Sequence, residues 1–338
     1  MTRLDPEAIR QGDRLALSRA LTAVENGDPA GQKVLSSLFP HTGQSHLVGV
    51  TGAPGTGKST LVNQLVRAFR KASTSETSPK VAIIAVDPTS PFSGGALLGD
   101  RIRMQDLAGD KGIFIRSMAS RGALGGLAHS TAAFATLLDG AGFDLIFIET
   151  VGAGQAEVDI ARLAHTVLVV EAPGLGDEIQ AIKAGILEIA DMLVVNKADR
   201  PESQNTARAL QAMLEMAQGG GSLPPAAKHL RKTKRRASAD APEEPTGWQP
   251  PVRLVTATEG KGVAQLVTDI RAHRAYLEQS GLWQAKETDR LQRDLDGLIR
   301  DALYQSWQEG RDPDEYEVIL DQLIERKITP LEALALLI

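Results

Sequence analysis

Gly52-Ala53-Pro54-Gly55-Thr56-Gly57-Lys58-Ser59-Thr60 is where the residue types of this chain most clearly specify chemistry. Two glycines, Gly52 and Gly57, with four residues between them and followed by Lys and Ser, have the Walker A spacing. Glycines let successive backbone N–H groups turn inward around phosphate oxygens, where side chains would block the approach. Lys58 can reach terminal phosphates, and the Ser59 hydroxyl can ligate Mg²⁺. A helix starting at this point adds partial positive charge. The competing reading is an accidental glycine-rich turn. Against it stand an apolar strand pattern before the loop and a helical stripe after it, Leu61, Val62, Leu65, Val66 and Phe69.

Further candidates stand immediately after later apolar runs. Asp87 is followed by Pro, hydroxyls and glycines, and suits Mg²⁺ and its waters; a turn or cap residue is the plainer alternative. Asp100 is a second candidate metal contact, or else a surface ion-pair partner. Glu149 precedes Gly152 by three residues, the layout of a switch in which the carboxylate holds Mg²⁺ through water and the Gly152 N–H meets a γ-phosphate. Ala153 follows Gly152, so no glutamine stands where Ras-like enzymes orient the attacking water. Gln155 lies two residues further on and serves only if the loop moves, which leads us to expect slow intrinsic hydrolysis. Asn196-Lys197-Ala198-Asp199 carries a carboxylate able to accept from guanine N1–H and the N2 amino group, with Lys along the base. Adenine lacks that donor pair and leaves the carboxylate unmatched. Thr256-Ala257 are weaker candidates, offering a backbone N–H to guanine O6. The stretches 117–127 and 171–183 are each either responsive loops or ordinary connections.

These residues need a scaffold that brings strand ends together. Short apolar runs at 47–51, 81–86, 113–115, 145–148, 166–170, 192–195 and 252–255 are mostly unbroken, as in strands covered on both faces. Alternation with helical stretches implies an α/β fold with a doubly wound, mostly parallel sheet and ligands at the strands' carboxyl ends. The expected organisation is a helical extension over 1–42, the P-loop domain over 43–275 and helices over 276–338. Within the N-terminal part, 6–26 reads as one helix and a second follows Asp28-Pro29. Residues 218–250 lose apolar periodicity and include Lys228, Arg231, Lys232, Lys234, Arg235 and Arg236, which reads as a solvated, mobile insertion. The last helices carry apolar stripes, among them Leu291, Leu295, Leu298, Ile299 and Leu303. They either pack on the domain or form a dimerisation arm.

Composition limits the alternatives. A chain of 338 residues with 42% hydrophobic and 23% charged residues is of ordinary globular type. The apolar runs are too short for a transmembrane helix, and the first residues lack an apolar signal segment, so we expect a cytoplasmic protein without membrane contact. No cysteine is present, which excludes disulfides and thiolate metal sites. A net charge of −5 argues against general nucleic-acid binding.

Taken together, the loop at 52–60, Val86 to Gly95, Leu98 to Met104, Glu149 to Gln155 and Asn196 to Asp199 resemble the MeaB/ArgK-like P-loop GTPases, over roughly residues 5–335. The resemblance implies a chaperone GTPase for an adenosylcobalamin-dependent acyl-CoA mutase of methylmalonyl-CoA, isobutyryl-CoA or 2-hydroxyisobutyryl-CoA type. It would use GTP/GDP and Mg²⁺ and be stimulated by its mutase. It places Lys58 on phosphate, Ser59, Asp87, Asp100 and Glu149 around Mg²⁺, and Asn196, Lys197 and Asp199 on guanine. It makes 173–183 a further switch and the C-terminal helices a homodimer arm. The insertion and Thr256, where Ser is common, are departures. No Asp-x-His-x-x-Gly motif is present, so cobalamin would be carried by the mutase. Two other readings are a nickel-type metal-insertion GTPase, disfavoured by the missing cysteines and by histidines scattered through the sequence, and a nucleotide-dependent kinase or ATPase associated with transport.

Overall fold

The apolar runs form seven parallel strands in the order β3-β2-β4-β1-β5-β6-β7. They are β1 (His46–Thr51), β2 (Val81–Pro88), β3 (Ile113–Ser120), β4 (Leu145–Thr150), β5 (Thr166–Glu171), β6 (Met192–Asn196) and β7 (Val252–Val255). The computed structural model describes residues 4–71, 78–88, 105–107, 109–120, 126–150, 160–174, 189–219 and 247–338. Two compact units result, Met1–Thr288 and Asp289–Ile338.

Unbroken runs suit these strands because both faces of the sheet are covered. Successive side chains alternate, so Val48, Val50, Val81 and Ile83 enter a core with α4 (Lys58–Lys71) and α7 (Val263–Gln279). Leu47, Ala82, Ile84 and Val86 face the opposite way, towards α2 (Arg14–Glu25), α3 (Pro29–Leu38) and α5 (Gly126–Gly140). Val167, Val169, Leu193 and Val195 pack on α6 (Ser203–Gly219). Parallel pairing, such as Val50 with Glu149 and Leu168, aligns the carboxyl ends of β1, β4 and β5 along one edge.

Two expectations are corrected. Residues 6–26 are two helices, α1 (Pro6–Arg10) and α2. Gly12 takes φ +93°, and the Asp13 carboxylate accepts from Leu15 N and Ala16 N to begin the second helix. Residues 117–120, read as part of a loop, extend β3; at the sheet's edge this strand pairs on one side only and accommodates polar residues. The basic stretch of the expected insertion falls on 220–246, outside the described residues.

The chain enters β1 through a buried carboxylate. Asp139 accepts from the backbone N–H groups of Gly43 (2.6 Å), Gln44 (3.3 Å) and Ser45 (3.0 Å). Asp139→Ala leaves those donors without their acceptor, at about 1–3 kcal/mol for each buried group. We expect a loss of about 3 kcal/mol, read as a denaturation midpoint shifted at unchanged denaturant slope.

In the second unit, α8 (Leu282–Gly310) continues beyond Thr288 and is followed by α9 (Pro313–Ile324) and α10 (Pro330–Leu337). Thr329 and Glu332 form the capping box that opens α10. Trp307 Nε1 donates to Leu337 O at 2.7 Å, and Ile319 and Ala333 are buried. Leu295, Ile299, Leu303, Val318, Ile324 and Leu331 are exposed. Among the described residues no helix is long and apolar enough to cross a membrane.

Candidate nucleotide site

β1 ends at Thr51 in the middle of the sheet, and α4 begins at Lys58, so the intervening glycine-rich loop lies at the carboxyl edge between strands. Its shape requires glycine at two described positions. Gly52 has φ +136°, and a Cβ there would stand 2.0 Å from Val170 O of β5; at Gly57, φ +91°, it would stand 2.5 Å from Asn196 Nδ2. The Lys58 ammonium is held against this loop, donating to Gly52 O at 2.7 Å and Ala53 O at 3.0 Å. Thr56 Oγ1 donates to Ala53 O, and the Thr56 N–H to the same carbonyl, closing the loop as a turn.

The second cluster joins α4 to β4. Ser59 Oγ donates to Glu149 Oε1 at 2.5 Å, and both side chains are buried. Next to Glu149, Thr150 Oγ1 donates to Thr51 Oγ1 at 3.3 Å, tying the ends of β4 and β1. Asp87 lies at the carboxyl end of β2, one residue beyond Val86, which pairs with Thr150; its side chain is outside the described residues. Asp100, Gly152 and Gln155 also lie outside them, as do 175–183 of the expected further switch. Sequence reasoning missed Asn63 on α4, which donates to Asp106 Oδ1 at 3.0 Å while Arg67 pairs with the same carboxylate. A polar residue inside the apolar stripe Leu61–Phe69 was the available signal.

The third cluster binds the Asn196–Asp199 turn to the glycine-rich loop. Asn196 Nδ2 donates to Thr56 O at 2.8 Å, and Asn196 Oδ1 accepts from Ala257 N at 3.1 Å. Lys197 takes φ +57° and donates from Nζ to Gly55 O at 2.6 Å. Ala198 N donates to Val255 O, and Ser203 Oγ caps Ala198 O, which leaves Asp199 exposed on a turn stapled at both ends. The Thr256 N–H donates to Lys261 O and the Ala257 N–H to Asn196, so both backbone donors suggested by sequence have partners within the chain.

Three of the scattered histidines converge, but not here. His46 and His165 stand at the amino ends of β1 and β5, with His273 on α7. Among the described residues no group of three His, Asp or Glu side chains could hold a metal ion.

Comparisons with known proteins agree with this geometry. Residues 17–312 match the family described as methylmalonyl-CoA mutase-associated GTPase MeaB. The chain is 41% identical over 327 residues to a Pyrococcus abyssi protein assigned as a GTPase, covering 97% of this chain and 93% of that one. It is 36% identical over 280 residues to the Escherichia coli GTPase ArgK, covering 82% and 77% of the two chains. Against the mouse mitochondrial methylmalonic aciduria type A homolog, identity is 32% over 290 residues, 82% of this chain and 64% of that protein. The crystal structure of a LAO/AO transport system kinase superposes with a TM-score of 0.67 at 26% identity, covering 98% of this chain and 94% of that one.

Proposed function

The chain belongs to the MeaB family of P-loop GTPases, and on that premise we propose that it is the guanine-nucleotide-driven chaperone of an adenosylcobalamin-dependent acyl-CoA mutase. The observation that carries the nucleotide part is the pair of hydrogen bonds at Asn196, donated from Nδ2 to Thr56 O and accepted at Oδ1 from Ala257 N. It holds the phosphate loop, the base-reading turn and the loop after β7 as one rigid site, so a ligand that satisfies Asp199 is positioned for Lys58 at the same time.

In this reading the loop 52–60 cradles the phosphates and Lys58 meets their terminal charge. Asn196 sets the distance between base and phosphate, Lys197 lies along the base, and Asp199 accepts from its N1–H and N2 amino group. Ser59 and Glu149 face one another as hard oxygen donors, a set that fits Mg²⁺. Asp87 and Asp100 are the further candidates for its shell. When bound, the ion would neutralise charge on the β- and γ-phosphate oxygens. GTP and water yield GDP and phosphate. Without a glutamine after Gly152, turnover by the isolated chain is slow and the mutase supplies the acceleration, through 173–183 and Gly152 to Gln155. The exposed apolar faces of α8 beyond Thr288, α9 and α10 support a homodimer formed through the second unit. The setting is cytoplasmic.

The test is GTP turnover by the purified chain, alone and with each candidate mutase. One mutase is expected to stimulate it by at least tenfold, and Lys58→Ala is expected to remove about 10²–10³-fold of the stimulated rate. Turnover unchanged by every mutase would overturn the chaperone reading while leaving the GTPase in place. The name of the LAO/AO kinase relative favours a second reading, phosphoryl transfer to a protein hydroxyl. With γ-labelled GTP, label recovered in protein instead of inorganic phosphate would select it.

A further inference from the structure

Opposite the nucleotide loops, at the amino edge of the sheet, is a buried polar cluster that the proposed mechanism does not use. His46 opens β1, Thr166 opens β5 and Asp191 immediately precedes β6; His273 comes from α7 and Glu287 from the first turns of α8. His46, His165, Thr166 and His273 are each no more than 3% exposed. Thr166 Oγ1 lies 2.7 Å from His46 Nε2 and 2.8 Å from His273 Nδ1. His273 Nε2 approaches Asp191 Oδ1 at 3.4 Å.

The hydrogen bonds restrict where protons sit. His165 Nδ1 accepts the Leu47 N–H at 3.0 Å, so that ring is neutral and its proton is on Nε2, donated to Glu287 Oε1 at 2.7 Å. Thr166 has one hydroxyl hydrogen between two imidazoles, which matches one accepting ring and one donating ring. A proton added to the accepting ring removes the hydroxyl's acceptor and places a cation in a dry site. A proton on His165 Nδ1 breaks its bond to β1.

The same cluster fastens the start of α8. Trp283 stacks on His165 with ring centroids 4.0 Å apart, Lys286 Nζ donates to His165 O at 2.7 Å, and Glu287 accepts from His165. We propose that this cluster is a proton-sensitive latch, closed on the Trp283–Glu287 turns of α8 while its imidazoles are neutral and opened when they are protonated.

The surrounding charges give the direction. Burial holds His46 well below the ordinary histidine range, with His165, Arg274, His273 and Lys286 acting in the same sense. Burial lowers His273 from 6.5 to about 4; Asp191 opposes this, and Lys286 and His165 add to it. Glu287 is the other anion at the cluster, bound to His165. Because the folded values are depressed, the open form binds more protons. The latch is therefore fully formed above about pH 6.5 and is lost progressively as pH falls towards about 4. Between about pH 7.5 and 5.5 the open-to-closed ratio rises about tenfold for each histidine released to solvent.

Hydrogen–deuterium exchange of the full chain at pH 7.5 and 5.5, corrected for intrinsic rates, tests this. Protection of 270–288 is expected to fall at least tenfold more than that of α4, and His46→Gln with His273→Asn, which keeps hydrogen-bonding atoms but removes titration, is expected to abolish the difference. Equal changes in both segments, or an undiminished difference in the double variant, would overturn the latch. Should the double variant not fold, imidazole ¹H–¹⁵N spectra of the unaltered chain decide. His46 and His273 are expected to remain neutral at pH 6 and to protonate only as 270–288 loses protection. Ordinary titration near 6.5 with that segment still protected would overturn the proposal.

Discussion

Gly52→Ala is expected to abolish measurable guanine-nucleotide binding and to destabilise the first unit by about 3–5 kcal/mol, combining backbone strain with overpacking. The backbone at Gly52 has φ +136°, and the added Cβ would lie 2.0 Å from Val170 O. Relief on either side is blocked. Val170 is fully buried in β5, and Thr51, immediately before Gly52, pairs with Val169 of the same strand. The loop must therefore swing out, carrying with it the Gly52 and Ala53 carbonyls that hold Lys58. A displacement of about 1 Å at such a site costs about 10²-fold in function. Thermal unfolding and titration with a fluorescent GDP analogue measure the two effects separately. A variant with unchanged midpoint and unchanged GDP affinity would show that the loop is not packed on β5 as described.

Asp199→Asn is expected to weaken GTP binding by about 10²–10⁴-fold while favouring xanthosine triphosphate, because the change replaces an acceptor by a donor at the point that meets the base's 2-position. The backbone around Asp199 is held by the positive φ of Lys197, by Ala198 N on Val255 O and by Ser203 Oγ on Ala198 O. The substituted side chain thus stays in place, and the effect reads hydrogen-bond matching instead of loop collapse. Competition of GTP, ATP and xanthosine triphosphate for the fluorescent analogue measures it. Equal loss for all three nucleotides would remove Asp199 from the base-reading role. Preserved GTP affinity would remove the guanine assignment itself.

Much of the site was legible because its parts are local. A Walker A loop is a run of neighbours whose glycines, lysine and serine state their own chemistry, and Asn196 to Asp199 is another. The seven strands were legible because burial on both faces leaves unbroken apolar runs, and errors appeared where that condition fails. Edge strand β3 was read too short because its apolar run stops at Ile115, whereas its backbone pairing with β2 continues through Ser117 to Ser120. The first helix was read too long because the apolar stripe from Leu15 to Val24 was carried back to residue 6 across Gly12 and Asp13, where the backbone turns and a new helix is capped.

The sequence by itself determined the family and its fold: a P-loop GTPase whose parallel sheet presents the glycine-rich loop and the Asn196–Asp199 turn on one edge. Only tertiary structure decided how those local motifs are locked together, since Asn196 reaches Thr56 and Ala257 across 140 and 61 positions of sequence. It also decided that histidines at 46, 165 and 273, scattered along the chain, share one buried cluster. The physical reason is the same in both cases. Hydrogen bonds between distant positions leave no period in the sequence, and their partners are set by strand order and register, which short-range patterns do not encode.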